Sequence, residues 1–404
     1  MNHYEVDAYR FVNLVKDGMR CVDVRSPGEF ERGHIPGATN VPLFSNEERA
    51  SVGRCYKNAG RDAAMALGMS KVADHGIDNL AQDAKGEVNK VCLHCWRGGL
   101  RSGAMAWLLR RRGVEVYCLR GGYRSFRRWA RGIWSIQGEF IQDSTEEMER
   151  EEDFSLEECI DTVQPRSAPQ EKKVHIKKTC SSPQLIILSG RTGVGKTRVL
   201  QQLANLGEQI LDLEFLASHR GSAFGYVSKQ PTNEMFENLL AMAWFSLDHS
   251  RRIWVEDEEG HVGKCYIPSP LYSQMQSSKY IIRLTASMHT RVSLLLSDYL
   301  LAPDEQFIQY LINTTNRLYK RLGGERHKHA IELVKQRDFP AFTELLLNHY
   351  YDKLYDKHLA KRHLTPIDIP VVLFSDATDT HEDVYDTITT AKNAIFAHSS
   401  EFHD

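Results

Sequence analysis

The stretch "QLIILSGRTGVGKT" from Gln184 to Thr197 constrains the fold more than any other part of the chain. A short apolar run leads into G-x-x-x-x-G-K-T, and "RVLQQLANLG" then continues at helical spacing to a glycine stop. A buried strand, a glycine loop and a helix in that order are the start of an open α/β sheet. Gly190, Gly193 and Gly195 let backbone N–H groups face a diphosphate; Lys196 adds a point charge and the Thr197 hydroxyl can hold Mg²⁺. "RIWVEDEEG" (252–260) supplies a second strand ending in acids, with Glu256 or Asp257 placed to serve near the metal. In "LDLEFLASHRGSAFG" (211–225), Asp212, Glu214, His219 and Arg220 would converge on the top of the same sheet. A solvated acidic turn and a capped helix with an exposed His-Arg pair are the plainer alternatives for these two segments.

At 404 residues the chain is too long for one ordinary domain. Residues 1–135 alternate apolar runs with helical stretches. "RCVDVRS" (20–26), "EVNKVCLHC" (87–95) and "VEVYCLRGG" (114–122) read as strands of a small parallel α/β domain. Residues 136–183 form a charged linker, acidic through "DSTEEMEREEDFSLEECID" and then Pro-containing and basic. Residues 184–404 form a P-loop NTPase-like α/β domain with a helical C-terminal part, a late strand at 369–375 and a last helix over 380–397. The apolar stretch 236–247 can be core or can line a groove for a hydrocarbon.

The eight cysteines are scattered, which is no disulfide framework, and Cys92 and Cys95 lack the second ligand pair that a structural zinc needs. Cys95 opens "CWRGGLRSG" at the carboxyl end of a strand. Gly98 and Gly99 allow the loop to curl its N–H groups toward the sulfur. A helix beginning near Arg101 or Ser102 points its positive end at the same spot, and Arg97 and Arg101 add charge. Those surroundings suit a reactive thiolate rather than an inert core thiol. Cys92, on the strand itself, reads as core. "HCWRGGLRS" also fits the H-C-x5-R-S pattern of cysteine phosphatases, and the loop alone leaves both chemistries open.

"CVDVRSPGEFERGHIPGATNVPL" (21–43), with Asp23, Arg25 and Glu29, resembles the rhodanese family over about the first 135 residues. Over most of 15–135 and 184–264, and thinning from 265 to 313, the chain resembles the tRNA 2-selenouridine synthase family. The resemblance rests on "NEERASVGRCYKNAGRDAAMALG" (46–68), "CWRGGLRSG", "GGYRSFRR" (121–128), "GRTGVGKT", "LDLEFLASHRGSAFG" and "WVEDEEGHVG" (254–263). "RLGGER" (321–326) and "LLNHYYDKLYDKHL" (346–359) are also similar, while 143–182 departs from the compact form. The resemblance implies a transferase acting on the wobble uridine of certain tRNAs. The P-loop domain would alkylate a 2-thio group with geranyl diphosphate, and the rhodanese domain would then exchange the S-geranyl group for selenium from selenophosphate, carried by Cys95. A rhodanese-fold phosphatase or sulfurtransferase with a nucleotide-binding regulatory domain is the alternative, and a nucleotide-switched RNA-binding protein is a third.

A tRNA anticodon loop must be held despite a net charge of -2. Ten arginines between Arg97 and Arg131 are opposed only by Glu115, with Tyr123, Phe126 and Trp129 interleaved. This pattern suits phosphate contact with base stacking, or else a solvated helix face over core aromatics. The sequence has no apolar run long enough for a bilayer and opens without a signal-peptide pattern, so a cytoplasmic protein with no membrane partner is expected.

Overall fold

The structure, a computed structural model, describes residues 3–134, 184–219, 229–299, 304–360, 366–370 and 389–390. The linker expected at 136–183, Arg220, and nearly all of the last expected helix lie outside the described residues. The chain divides into two compact units. The first combines the N-terminal part with Glu234–Ser246, and the second holds the remainder.

The first unit is built on a five-stranded, wholly parallel sheet. Its strands are β1 (His3–Val6), β2 (Arg20–Asp23), β3 (Ala38–Asn40), β4 (Lys90–His94) and β5 (Glu115–Leu119), in the order β1-β5-β4-β2-β3. The three runs read from sequence as strands are β2, β4 and β5. The strands β1 and β3 sit at the edges and are too short to carry a periodic signal. Six helices accompany the sheet: α1 (Ala8–Lys16), α2 (Pro27–Arg32), α3 (Asn46–Asp74), α4 (Ile77–Lys85), α5 (Leu100–Arg111) and α6 (Gly122–Gly132). Central β4 is apolar on both faces because both are covered, as parallel sheets require. Val91, Cys92 and Leu93 are fully buried, and Val91 and Leu93 pack with Val22, Met105, Leu109 and Val116.

The helix Asn233–Phe245 lies within the P-loop half of the sequence, yet from Glu234 on it belongs to the first unit. Phe236, Leu240, Ala241 and Trp244 are buried along it. Trp244 meets Trp134 at 5.4 Å between ring centroids, and Phe245 meets Trp129 at 5.3 Å. The apolar stretch 236–247 is thus core of the first unit, and the span 184–404 is not one continuous body.

The second unit carries another five-stranded parallel sheet, in the order β12-β11-β6-β8-β7. Its strands are β6 (Leu185–Gly190), β7 (Gln209–Leu211), β8 (Ile253–Glu256), β11 (Tyr280–Thr285) and β12 (Ile367–Pro370); β9 (His261–Val262) and β10 (Cys265–Tyr266) form a small antiparallel pair. The late strand starts at Ile367 rather than 369, and 371–375 lie outside the described residues. Around it lie α7 (Lys196–Asn205), α8 (Leu213–Leu216), α10 (Ser269–Gln276) and α11 (Met288–Tyr299), with Asn233–Phe245 counted as α9. The helical part comprises α12 (Glu305–Arg317), α13 (Tyr319–Leu322), α14 (Gly324–Gln336), α15 (Phe339–Leu346) and α16 (Asp352–Leu359), with a π-helical turn, Leu347–Tyr351, before α16. Ile308, Leu311, Leu322, Val334, Phe342 and Leu346 form its separate core. Direct pairing of β6 with β8 brings the phosphate loop beside the acidic strand end.

Candidate functional site

Cys95 follows β4 immediately, and its loop reaches α5, whose N-cap is Gly99. The thiol lies 3.2 Å from Ser102 Oγ, and the residue is 3 % exposed. Backbone bonds pin the loop from the side of α6: Tyr123 N–H donates to the Cys95 carbonyl at 2.8 Å and Arg124 N–H to that of Trp96 at 3.1 Å. Gly122 makes this approach possible. It has φ +60°, and a Cβ there would stand 2.5 Å from the Cys95 carbonyl oxygen.

The two predicted arginines separate. Arg97 is exposed beside the loop. Arg101 donates to Glu29 at 2.8 Å while remaining close enough to Cys95 to interact with it electrostatically. Burial is the largest single influence on Glu29 and works against its ionisation, but the bond and charge of Arg101, the Ser26 N–H and Arg49 together hold the carboxyl below its usual range. Beneath the loop, Arg25 grips Asp23 through Nε and Nη2, donates to the Gly33 carbonyl, and lies 3.8 Å over the Tyr123 ring. His94 is fully buried between Phe11 and Tyr123, and burial pushes its imidazole below the ordinary value. The Cys92 thiol is fully buried and pushed up to about 12 by burial, so it is core rather than a partner for Cys95.

Tyr123 and Phe126 are fully buried, and Trp129 is half-buried against Phe126 and Phe245. They face the core and α9, which removes Tyr123 and Phe126 as stacking platforms. Trp96 and Trp107 are the exposed aromatics of this region, at 38 % and 45 %. Several arginines are also committed: Arg127 to Glu237 and Asn238, and Arg112 to Asp78.

In the second unit the loop Gly190–Gly195 leads into α7, which starts at Lys196. Gly193 has φ +80°, and a Cβ there would meet the Arg291 carbonyl at 2.9 Å. Lys196 Nζ donates to the Gly190 carbonyl at 3.0 Å. The Thr197 hydroxyl lies between two acids, 3.1 Å from Glu214 Oε2 and 3.0 Å from Glu256 Oε1. One oxygen each from Glu214, Glu256 and Glu258 falls within 4.8 Å of the others. Burial, then Glu214, Asp212 and Glu258, push the Glu256 carboxyl well above its ordinary range, against the pull of Lys196. Glu258 is pushed up to about 8, by burial and by Glu214. Glu256 Oε2 is buried with no hydrogen-bond partner among the described residues. An orphaned carboxylate oxygen among further carboxylates and a hydroxyl is a donor set that fits a hard divalent cation.

Other predicted residues stand elsewhere. Asp257 turns away from this cluster, since neighbouring side chains on an extended segment alternate in direction. It accepts from Ser189 Oγ at 2.7 Å and lies 3.1 Å from His358 Nε2. Asp212 caps α8 by accepting from Phe215 N–H at 2.8 Å. His219 is half-buried beside Gly263, and its Nδ1 has no partner among the described residues.

The sequence left unassigned a shell that holds the phosphate loop. Arg291 donates to the Thr192 carbonyl at 2.9 Å and forks onto Asp352 at 3.0 and 2.6 Å. Arg191 pairs with Asp356, and Tyr355 reaches Ser189 Oγ at 3.0 Å. The acids 352 and 356 at i,i+4 spacing were the available signal.

A family model described as the tRNA 2-selenouridine synthase AAA domain matches residues 183–369, and one for the rhodanese-like domain matches 7–128. Among curated proteins, one named tRNA 2-selenouridine synthase from Marinobacter nauticus is 34% identical over 389 residues, covering 88% of this chain and 92% of its own. Its counterparts from Hydrogenovibrio crunogenus and Shewanella sediminis are 32% and 33% identical, over 87% and 88% of this chain and 92% and 91% of theirs.

Proposed function

The chain belongs to the tRNA 2-selenouridine synthase family, and from that premise we propose that it replaces the 2-thio sulfur of a tRNA wobble uridine by selenium in two stages. In the first, the second unit holds geranyl diphosphate. The thiocarbonyl sulfur attacks the allylic carbon, a C–S bond forms, the C–O bond breaks, and diphosphate leaves. In the second, water attacks phosphorus of selenophosphate, the P–Se bond breaks and phosphate leaves; the hydrogen selenide anion held at the Cys95 loop adds to C2 of the base, the C–S bond breaks, and the geranyl thiolate departs and takes the selenium's proton. A bare thiocarbonyl sulfur leaves poorly, whereas an S-alkyl thiolate leaves well, which gives the order its chemical reason.

The observation that carries this reading is the pairing in one chain of a loop-bound Cys95 with a phosphate loop whose Thr197 lies against Glu214 and Glu256. Backbone N–H groups and Lys196 would bind the diphosphate, and Thr197, Glu256, Glu214 and Glu258 would hold Mg²⁺, which when bound neutralises the leaving diphosphate. Arg97 and Arg101 would favour anionic selenium at Cys95. The tRNA anticodon loop is the proposed partner, with Trp96 and Arg97 beside the reactive thiol. Among the described residues no helix is long and apolar enough to cross a membrane; we propose a cytoplasmic enzyme.

Calorimetry with geranyl diphosphate, ATP and GTP, each with and without Mg²⁺, tests the first stage. Magnesium-dependent binding of geranyl diphosphate in preference to both nucleotides is expected. Tight nucleotide binding with none for geranyl diphosphate would replace this reading by a nucleotide switch.

A further inference from the structure

The floor beneath the Cys95 loop is completed by α9, a helix whose sequence lies between β7 and β8 of the other unit. Tyr123 is the hinge of that floor. Its N–H holds the Cys95 carbonyl at 2.8 Å, its ring lies under Arg25 at 3.8 Å, and Trp96 packs on it at 5.8 Å. Among the described residues its hydroxyl is held by α9 alone: it donates to Glu234 Oε1 at 2.8 Å and accepts from Asn238 Nδ2 at 2.8 Å.

Asn238 is fully buried on a helix, where a polar side chain persists only if its bonds are made. They are. Nδ2 also reaches the His34 carbonyl at 2.8 Å, and Oδ1 accepts from Arg127 Nη1 at 2.5 Å. Gly33 leaves room for the arrangement, since a Cβ there would stand 2.9 Å from both Glu234 Oε1 and the Tyr123 hydroxyl. Phe236, Leu240 and Trp244 are buried along the same helix. The polar groups converge on one hydroxyl, six atoms across the ring from the backbone that sets the loop.

We propose that Glu234 and Asn238 are positioning residues for Cys95, acting through Tyr123, so that the reactive loop takes its working geometry only when α9 is seated. The inference rests on the reading of Cys95 as the reactive thiol. A buried, fully satisfied polar network specifies one arrangement where apolar contacts would tolerate several.

The test uses the full chain and needs neither tRNA nor selenium. Alkylation of Cys95 by iodoacetamide is followed by peptide mass spectrometry from pH 5 to 10. Cys55, a half-buried thiol on α3, serves as the reference within the same unit. Tyr123→Phe, which removes one oxygen and keeps the ring, and Asn238→Leu should each slow Cys95 alkylation at neutral pH about tenfold, as expected when the loop around a thiol loses its arrangement. The double variant should be no slower than either single one, because the residues act as one unit. Cys55 should be unchanged. Wild-type rate in both single variants, with Cys55 unchanged, would show that α9 only packs. Effects that multiply in the double variant would also overturn the proposal. A wild-type Cys95 no more reactive than Cys55 would instead remove the reading of Cys95 itself, and the positioning role with it.

Discussion

Two buried groups show how far a residue's surroundings decide its chemistry. His94 precedes Cys95 and looks in sequence like half of a phosphatase signature. In the structure it is a fully buried neutral imidazole, 3.7 Å from Asp23, with its value pushed down by burial. An unfolded chain protonates this histidine near about pH 6.5, and the folded chain does not. The unfolded state then binds more protons below that pH, so stability is present above it and is lost as the pH falls through it. Half-buried His34 is shifted in the same direction. Thermal unfolding of the first unit should therefore fall to a lower midpoint between about pH 7.5 and 5.5, the window set by the ordinary histidine value. A midpoint that is flat or rises on acidification would contradict the buried neutral assignment. Arg101 makes a complementary point: the arginine that a phosphatase would hold on phosphate is engaged by Glu29.

At the scale of elements, the legible features were those whose signal is local. A strand ending in Cys95 and a strand entering G-x-x-x-x-G-K-T each carry their context within about a dozen residues, and both are found as expected in β4 and β6. The membership of α9 was not legible. Its buried residues say that one face is covered, and nothing in a periodic pattern says by what. The same holds for α16. Its acids at 352 and 356 look like a solvated face, yet they engage Arg291 and Arg191 around the phosphate loop. Of the two alternatives Glu256 and Asp257, Glu256 faces Thr197 while Asp257 turns to Ser189 and His358, because two adjacent acids at a strand end cannot share a side, and the sequence does not say which one faces the loop. The α16 clamp yields a direct prediction. Asp352→Ala leaves the Arg291 guanidinium, 4 % exposed, without its carboxylate. Loss of one partner from a buried pair costs about 3–5 kcal/mol. The second unit should unfold at correspondingly lower denaturant and bind diphosphate more weakly, since Arg291 also holds the Thr192 carbonyl. Asp352→Asn, which keeps the shape, should lose less. Unchanged stability and affinity in the alanine variant would mean that the clamp is ornamental.

The whole molecule joins two α/β units, each presenting its chemistry where a parallel strand meets a helix, the usual place for a site in such sheets. Its near-neutral charge leaves tRNA binding to local surfaces, and the burial of Tyr123 and Phe126 turns attention from α6 to exposed Trp96, Trp107 and Arg97. In the proposed function both units serve one substitution at one base, in a fixed order. Purified protein given 2-thiouridine tRNA, geranyl diphosphate, selenophosphate and Mg²⁺, followed by mass analysis of the digested nucleosides, measures this directly. The wild type should yield 2-selenouridine. Cys95→Ala should stop at the S-geranyl nucleoside, and Lys196→Ala should form neither product, because the leaving group is never made. Selenouridine formed at the normal rate by Cys95→Ala, or by Lys196→Ala without a geranylated intermediate, would contradict the account.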